Sequence, residues 1–409
     1  MKKGHLSEYF EGVAVKRLSA VDADAGRSNQ HEVGTTREMR GFLGEIHQER
    51  FDASYVWLGD EQDGFSCPDF ATHYDTRLNQ AGRSPEWRLY YSSNAVTEAM
   101  QEGDTLFLAK RPGTVLLFII VPPGSTVEHQ LLWLFGFDSQ PDLKFTTQFY
   151  SGDNDSTLDF AARFLLDELG IEFEDPNANS LDTIIDHFGL VFPKTLAFSQ
   201  LARLTLPSVH AENAPDAALM AWLDHEEAMF RRLERRIVSA RIEQGFVTAD
   251  GVDVDGFISY SLGVQNRRKS RMGQSFEHHL AAVFDACEIA YVKGGKTERN
   301  NKPDFLFPGQ SAYSDLEFPK GHLSMLAAKS VCKERWRQIL PEADRIAVKH
   351  LVTLEPGIST AQTDQMQAHD VQLVVPLPLQ SSYTEDQVGW VWSVGKFVQH
   401  VRDKAISWG

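Results

Sequence analysis

A chain of 409 residues that is 42% hydrophobic, 24% charged and 11% aromatic is long enough for two or three domains, each with its own core. Three cysteines (Cys67, Cys287 and Cys332) are too few for a disulfide scaffold and too dispersed for a zinc cluster, which favours a reducing, cytoplasmic home. The formal net charge of −17 argues by itself against a nucleic-acid partner. That charge is unevenly spread, however: Arg267 to Lys349 holds 15 Lys+Arg against 10 acids, and the local field decides where a polyanion docks. The longest apolar stretch, "TVLLFIIVPP" ending at Pro123, is about half the length of a bilayer crossing and reads as a buried strand. The opening "MKKGHLSEYFEG" has no apolar run behind its lysines, so neither a membrane nor a secreted reading is expected.

From Val13 to about Phe137 the pattern predicts strands: "EGVAVKRLSA", "ASYVWLG", "EWRLYYSS", "DTLFLA" and "TVLLFIIVP", parted by polar turns. Many short strands of this kind predict a barrel or sandwich. A helix is expected from Thr157 or Leu158 to Gly170 with Ser156 as its cap, and the acidic, Pro/Asn-rich run Glu172–Ser180 reads as a linker. The expected organisation is therefore a first domain over 1–171, a linker over 172–180 and a second domain over 181–409.

Helices dominate next. "LDTIIDHFG" is one, and Pro215 to Gly245 is a longer one whose Leu219, Leu223, Met229, Phe230, Leu233, Ile237 and Ile242 fall mainly on one stripe. A third is expected from Ser275 to Ala290. Strands at "DFLF", "LSMLAAK", "HLVTLEP" and "VQLVVP" then alternate with a helix over Trp336–Val348, which predicts a central sheet with helical cover.

The chemistry concentrates here. "KPDFLFP" puts Asp304 at the start of one apolar strand, and "LSMLAAK" puts Lys329 at the end of another. Phosphodiester hydrolysis needs an anionic ligand to hold Mg²⁺ and a nearby cation to orient water or offset developing charge. Asp304 supplies the first and Lys329 the second. Glu342, thirteen residues beyond Lys329, is a second candidate metal ligand, and Glu277 in "SFEHHL" a further helix-borne acid. Position 327, where nucleases commonly carry an acid two residues before the lysine, is Ala. Read alone, Asp304 is equally a turn former after Pro303, Lys329 a snorkelling edge residue and Glu342 a solvated helix face. "KERWR", with Lys333, Glu334 and Arg335, has donors for guanine and an acceptor for cytosine, or is an ordinary charged helical turn. "NRRKSRMGQS", with Arg268, Lys269 and Arg271, is the densest basic run, suited to phosphate contacts or to a solvated loop.

"NRRKSRMGQSFEHHL", "NKPDFLFPGQSAYSDLEFP" and "LSMLAAKSVCKERWRQILPEADRI" closely resemble the catalytic domain of EcoRII-type restriction endonucleases. "VKRLSAVDADAGRSNQHEVG" resembles the same family's N-terminal effector-DNA-binding domain, and the match weakens from about Asp138 to Asn213. The resemblance implies a two-domain α+β protein. Its first half would be a B3-like β-pseudobarrel and its second an α/β restriction-endonuclease-like domain with a central mixed sheet. It implies a Mg²⁺-dependent homodimer that cuts double-stranded DNA at a CC...GG site related to CCWGG, leaves 5′-phosphate and 3′-hydroxyl ends, and works beside a cognate DNA methyltransferase.

Carried over by position, Asp304 and Lys329 become the catalytic pair. Glu342 becomes the displaced acidic ligand that accounts for Ala327. Lys333, Glu334 and Arg335 become the cluster reading the outer C·G pairs, with Glu in place of the family's Asp. The family's Arg and Tyr that hold flipped-out central bases fall here near Leu223–Asp224 and Glu227, with Trp222 the nearest stacking side chain. In the first half the resemblance makes Lys16 and Arg17 phosphate contacts and makes Arg27, Asn29, Gln30 and His31 a base-reading loop. Arg77 and Arg83 to Arg88 become a second arm, and effector DNA is expected to relieve autoinhibition. Two alternatives stand beside this reading: a non-catalytic DNA-binding regulator, and a modification-dependent endonuclease with changed specificity.

Overall fold

The computed structural model describes residues 5–23, 31–60, 64–80, 82–150, 158–173, 178–248 and 251–406. They form two compact units, the first spanning Met1–Phe173 and the second most of Glu174–Gly409. No helix among the described residues is long and apolar enough to cross a membrane.

The first unit is built on one sheet of eight strands: β1 (Gly12–Arg17), β2 (Glu32–Gly34), β3 (Gln48–Trp57), β4 (Phe65–Asp75), β5 (Trp87–Tyr91), β6 (Thr105–Lys110), β7 (Val115–Val121) and β8 (Thr146–Phe149). Their order is β2-β5-β4-β3-β7-β6-β1-β8, antiparallel except where β3 runs parallel to β7. The continuous apolar run of β7 is explained by burial on both faces. Leu117, Ile119 and Val121 enter a core with Phe10, Phe107 and Phe135, while Leu116, Phe118 and Ile120 enter a second with Tyr55 and Leu89. Helix α1 (Thr126–Phe135) closes the first of these cores, capped by Ser125 Oγ accepting from Glu128 N at 3.1 Å. Helix α2 (Phe160–Glu168) starts later than its sequence predicts. Its cap is Asp159, which accepts from Ala162 N at 2.9 Å, whereas Ser156 lies outside the described residues.

In the second unit, α3 (Thr195–Leu204), α4 (Pro215–Glu243) and α5 (Val254–Ala286) precede the functional sheet. Pro215 opens α4 at a position where its missing N–H costs nothing. Helix α5 begins at Val254 rather than Ser275, so "NRRKSRMGQS" is helix and not loop. A short hairpin, β9 (Val247–Thr248) and β10 (Gly251–Val252), joins α4 to α5. The sheet that follows is β11 (Val292–Lys293), β12 (Phe305–Phe307), β13 (Ser324–Lys329), β14 (Lys349–Thr353) and β15 (Val371–Val374), in that order. It is antiparallel through β13 and parallel from β13 to β15, the central mixed sheet that the resemblance implies.

The expected helix over Trp336–Val348 is absent. A 3₁₀ run, Lys333–Ile339, gives way to turns, because Pro341 lacks a helical donor and Ala343 adopts a left-handed φ of 49°. Buried Lys349 fixes that turn, donating to the carbonyls of Ala343 at 2.7 Å and Ile346 at 2.5 Å.

Candidate active site

Asp304 precedes β12, and the antiparallel register sets Phe305 opposite Leu326, which brings Asp304 beside the end of β13. Its Oδ2 accepts from the backbone N–H of Ala328 at 2.8 Å and from the Lys329 ammonium at 3.0 Å. Both side chains are about one-fifth exposed, so the pair is anchored yet open to a ligand.

Glu342 arrives from the turn that Pro341 creates. Its backbone N–H donates to Ile339 O at 3.0 Å, and the preceding carbonyl of Pro341 accepts from Asn301 Nδ2 at 2.7 Å. Asn301 is three residues from Asp304, so this bond ties the segment bearing Glu342 to the approach of Asp304. Burial and the negative charge of Asp304 push the Glu342 carboxyl up to about 7, against the pull of Lys329 and Lys349. Its Oε2 is buried and has no hydrogen-bond partner. Asp304, Lys329 and Glu342 thus share one electrostatic neighbourhood. Glu277, on α5, is ion-paired at 3.1 Å to Lys293, whose strand position faces Phe305, the residue after Asp304.

The other expected side chains divide sharply. Lys333 and Arg335 follow Lys329 on the 3₁₀ run, Arg335 exposed and Lys333 half-buried; the side chain of Glu334 lies outside the described residues. The run is pinned by wholly buried Trp336 and by Glu355, a residue the sequence reading missed. Glu355 is 2% exposed, and its Oε2 accepts from the backbone N–H groups of Cys332 at 2.5 Å and Lys333 at 2.9 Å. A signal was present: an acid directly after the apolar strand "HLVTL", on the strand parallel to β13.

Several of the basic residues expected to contact phosphate are engaged in ion pairs within the fold. Lys16 pairs with Asp22 at 2.7 Å and is nearly buried, and Arg17 pairs with Glu128 at 2.7 Å and Thr105 Oγ1 at 2.5 Å. On α5, Arg268 pairs with Glu234 and Arg271 with Glu226, both acids on α4, which leaves Lys269 exposed between them. Trp222 is a core side chain, 6% exposed beside His279, and no open stacking platform. In the first unit His31 packs edge-on against Tyr91, Arg83 is exposed with Nη1 donating to Gln80 at 3.2 Å, and Arg88 pairs with Glu86 at 2.6 Å. Arg27, Asn29 and Gln30 lie outside the described residues.

Comparison with known proteins matches the chain to one family. A family model described as EcoRII C terminal matches residues 230–398, which include the Asp304, Lys329 and Glu342 positions. The type II restriction enzyme EcoRII of Escherichia coli is 31% identical over 399 residues, a match covering 95% of this chain and 93% of that protein. Among solved structures, metal-depleted Ecl18kI in complex with uncleaved, modified DNA has a TM-score of 0.43 at 17% identity, over 57% of this chain and 86% of that one. The PspGI–substrate DNA complex has a TM-score of 0.43 at 14% identity, over 52% of this chain and 94% of that one. The assignment rests on the near-full-length sequence match: the chain belongs to the EcoRII family of type II restriction enzymes.

Proposed function

We infer that this chain is a Mg²⁺-dependent, sequence-specific endonuclease that cuts both strands of DNA, with Asp304, Lys329 and Glu342 as its catalytic centre. The observation that carries this reading is the Asp304–Lys329 pair, with Glu342 Oε2 buried and unpartnered and Asp304 close enough to disfavour its charge. The two carboxylates fit a small divalent cation, which would relieve the repulsion and supply the missing partner. Among the described residues no three His, Cys, Asp or Glu converge into a metal cluster. Mg²⁺ suits a two-carboxylate site, because it keeps several waters and completes its shell with phosphate oxygens. Asp304 and Glu342 would hold it. When bound it supplies Lewis-acid polarisation of the scissile phosphate and a more acidic water.

The chain's own groups then have distinct tasks. Ala328 N–H fixes the rotamer of Asp304, so the carboxylate is already oriented when substrate arrives. Lys329 is about one-fifth exposed, and its ammonium can orient the attacking water and offset charge that builds on the phosphate in the transition state. Glu342 occupies the role that an acid at position 327 has in other nucleases, consistent with Ala327 being buried in the strand at 1% exposure. Lys333, Glu334 and Arg335 would read the outer pairs of a CC...GG site, and Lys269 would contact the backbone. A homodimer would present two such centres to a near-palindromic target. The first unit would be a B3-like module that binds a second, effector DNA and restrains cutting until it does so. A cognate methyltransferase and a cytoplasmic setting complete the reading.

The test is cleavage of DNA carrying CCWGG sites with Mg²⁺, with EDTA, and with Lys329→Ala plus Mg²⁺. Cutting in the first alone, with DNA still bound by the Lys329→Ala protein, supports the proposal. A chain that shifts DNA and cuts in none is a regulator.

A further inference from the structure

Glu342 belongs to no helix or strand: it lies between the end of the 3₁₀ run at Ile339 and the start of β14 at Lys349. Asp304 likewise stands just outside β12. Two carboxylates on irregular backbone serve one cation only if other bonds fix their main chains relative to each other. The segment 297–301, which leads into Asp304, supplies such bonds on both sides of Glu342. Asn301 Nδ2 donates to Pro341 O at 2.7 Å, Ala343 N donates to Thr297 Oγ1 at 3.3 Å, and Asp344 N donates to Glu298 Oε2 at 3.1 Å. The residue before Glu342 and the two after it are thus all held by one segment.

Glu298 is the centre of this brace. Its Oε2 also accepts from the hydroxyl of Tyr313, a residue 4% exposed on the short helix Gln310–Ser314. Burial opposes the charge on Glu298, but the Tyr313 and backbone donors, with the charge of Lys349, hold its carboxyl below the ordinary value. Lys349 grips the same turn from its own side through Ala343 O. The two turns being joined are strained: Arg299 and Ala343, neither a glycine, adopt φ of 57° and 49°. Residues in that region persist where surrounding bonds over-determine them, and here the bonds run from one turn to the other. The Arg299–Asp344 ion pair at 2.8 Å is a further link, although an exposed one that counts for little.

We propose that Thr297, Glu298 and Asn301 are positioning residues for the reaction, bracing the turn that bears Glu342 against the approach to Asp304 so that both carboxylates meet one divalent cation without rearrangement. The proposal rests on the reading of Asp304 and Glu342 as ligands of a single Mg²⁺. Glu298 acts through the main chain of Asp344 and not on the cation itself.

The test follows Mn²⁺, whose free ion is counted by electron paramagnetic resonance, titrated into the full chain carrying Lys329→Ala with a CCWGG duplex bound. This parent should bind Mn²⁺, and adding Glu342→Gln should remove that binding. Adding Glu298→Ala should weaken it by about tenfold or more, the order that follows loss of a group supporting a metal ligand, with DNA affinity unchanged. Glu298→Gln keeps an acceptor oxygen for the Tyr313 and Asp344 donors and should restore most of the affinity. Thr297→Val, of nearly the same shape, should weaken Mn²⁺ binding in the same direction. With Lys329 intact, Glu298→Ala should move the Mg²⁺ dependence of cleavage to higher concentration by a similar factor. Mn²⁺ affinity unmoved by both Glu298→Ala and Thr297→Val, or a loss that Glu298→Gln does not restore, would overturn the brace and leave the shared centre standing. A parent that binds no Mn²⁺, or binding that persists with Glu342→Gln, would remove the shared centre and the brace with it.

Discussion

Glu355 links two jobs that the primary structure keeps four residues apart. Lys329 ends β13 as the proposed catalytic cation, and Lys333 begins the proposed base-reading run. The Glu355 carboxylate holds the backbone N–H groups at the junction, Cys332 and Lys333, from inside the protein. Tyr383 in turn fixes the Glu355 backbone, donating to its carbonyl at 2.7 Å. A buried carboxylate with two amide donors is costly to remove, because both donors are then orphaned. Glu355→Ala should therefore lower kcat/KM at the cognate site by about 100-fold, the order expected when a reacting constellation shifts by an ångström. Glu355→Gln keeps one acceptor oxygen and should lose distinctly less. Single-turnover cleavage of cognate and one-base-changed duplexes measures both rate and discrimination, and equal losses for Ala and Gln would deny Glu355 its tethering role.

At the scale of elements, α4 and α5 are joined by a buried polar seam as well as by apolar packing. Glu226 on α4, 1% exposed, accepts from His279 at 2.7 Å and pairs with Arg271, whose guanidinium also lies over Phe198 and Phe230. Burial alone would raise the Glu226 carboxyl, but the His279 hydrogen bond and the Arg271 charge outweigh it and hold the group down to about 2. A carboxyl depressed below its ordinary value stabilises the fold fully above about pH 4.5. That contribution is lost as pH falls from there toward 2. Acid unfolding of the second unit should begin in that window. Glu226→Ala, which strands Arg271, should cost roughly 3–5 kcal/mol in chemical denaturation and flatten the acid limb. An unchanged acid limb would place the seam's stability elsewhere.

The same seam explains what the sequence conceals. Arg268 and Arg271 read as solvated cations because their acids, Glu234 and Glu226, lie on another helix and become neighbours only when α4 and α5 pack. The start of α5 was hidden too, since Phe257, Ile258 and Leu262 remain about half exposed and Gly263 interrupts the pattern. By contrast, β12 and β13 were legible as short apolar runs, and the side chains that matter sit at their ends, where turn chemistry and charge mark them. Glu355 required the strand order, which periodicity alone does not contain. In the first unit the sequence conceals β4 because Pro68, Asp69 and Asp75 break its apolar alternation, although it pairs with β3 from Phe65 to Tyr74.

At the scale of the whole molecule, the proposed enzyme combines a nuclease half with a second DNA-binding unit. Coupling of that kind is a free-energy difference: effector DNA activates only by binding the cutting-competent arrangement more tightly than the restrained one. A short uncut duplex added in trans should therefore speed cleavage of a single-site DNA by the full chain. Equal rates with and without the added duplex would make the first unit a recruiter and not a gate.

The central claim remains that Asp304 and Glu342 serve one centre with Lys329. Groups that act as a unit are non-additive: once one is lost, losing the next costs little more. The most direct measurement is single-turnover cleavage with Mg²⁺ by Asp304→Asn, Glu342→Gln and the double variant, each with DNA binding measured in parallel. Each single variant should lose about 10³-fold or more in rate with binding largely kept, and the double variant should be no slower than the worse single. Losses that multiply in the double variant, or a Glu342→Gln protein that cuts at the parental rate, would contradict the shared centre.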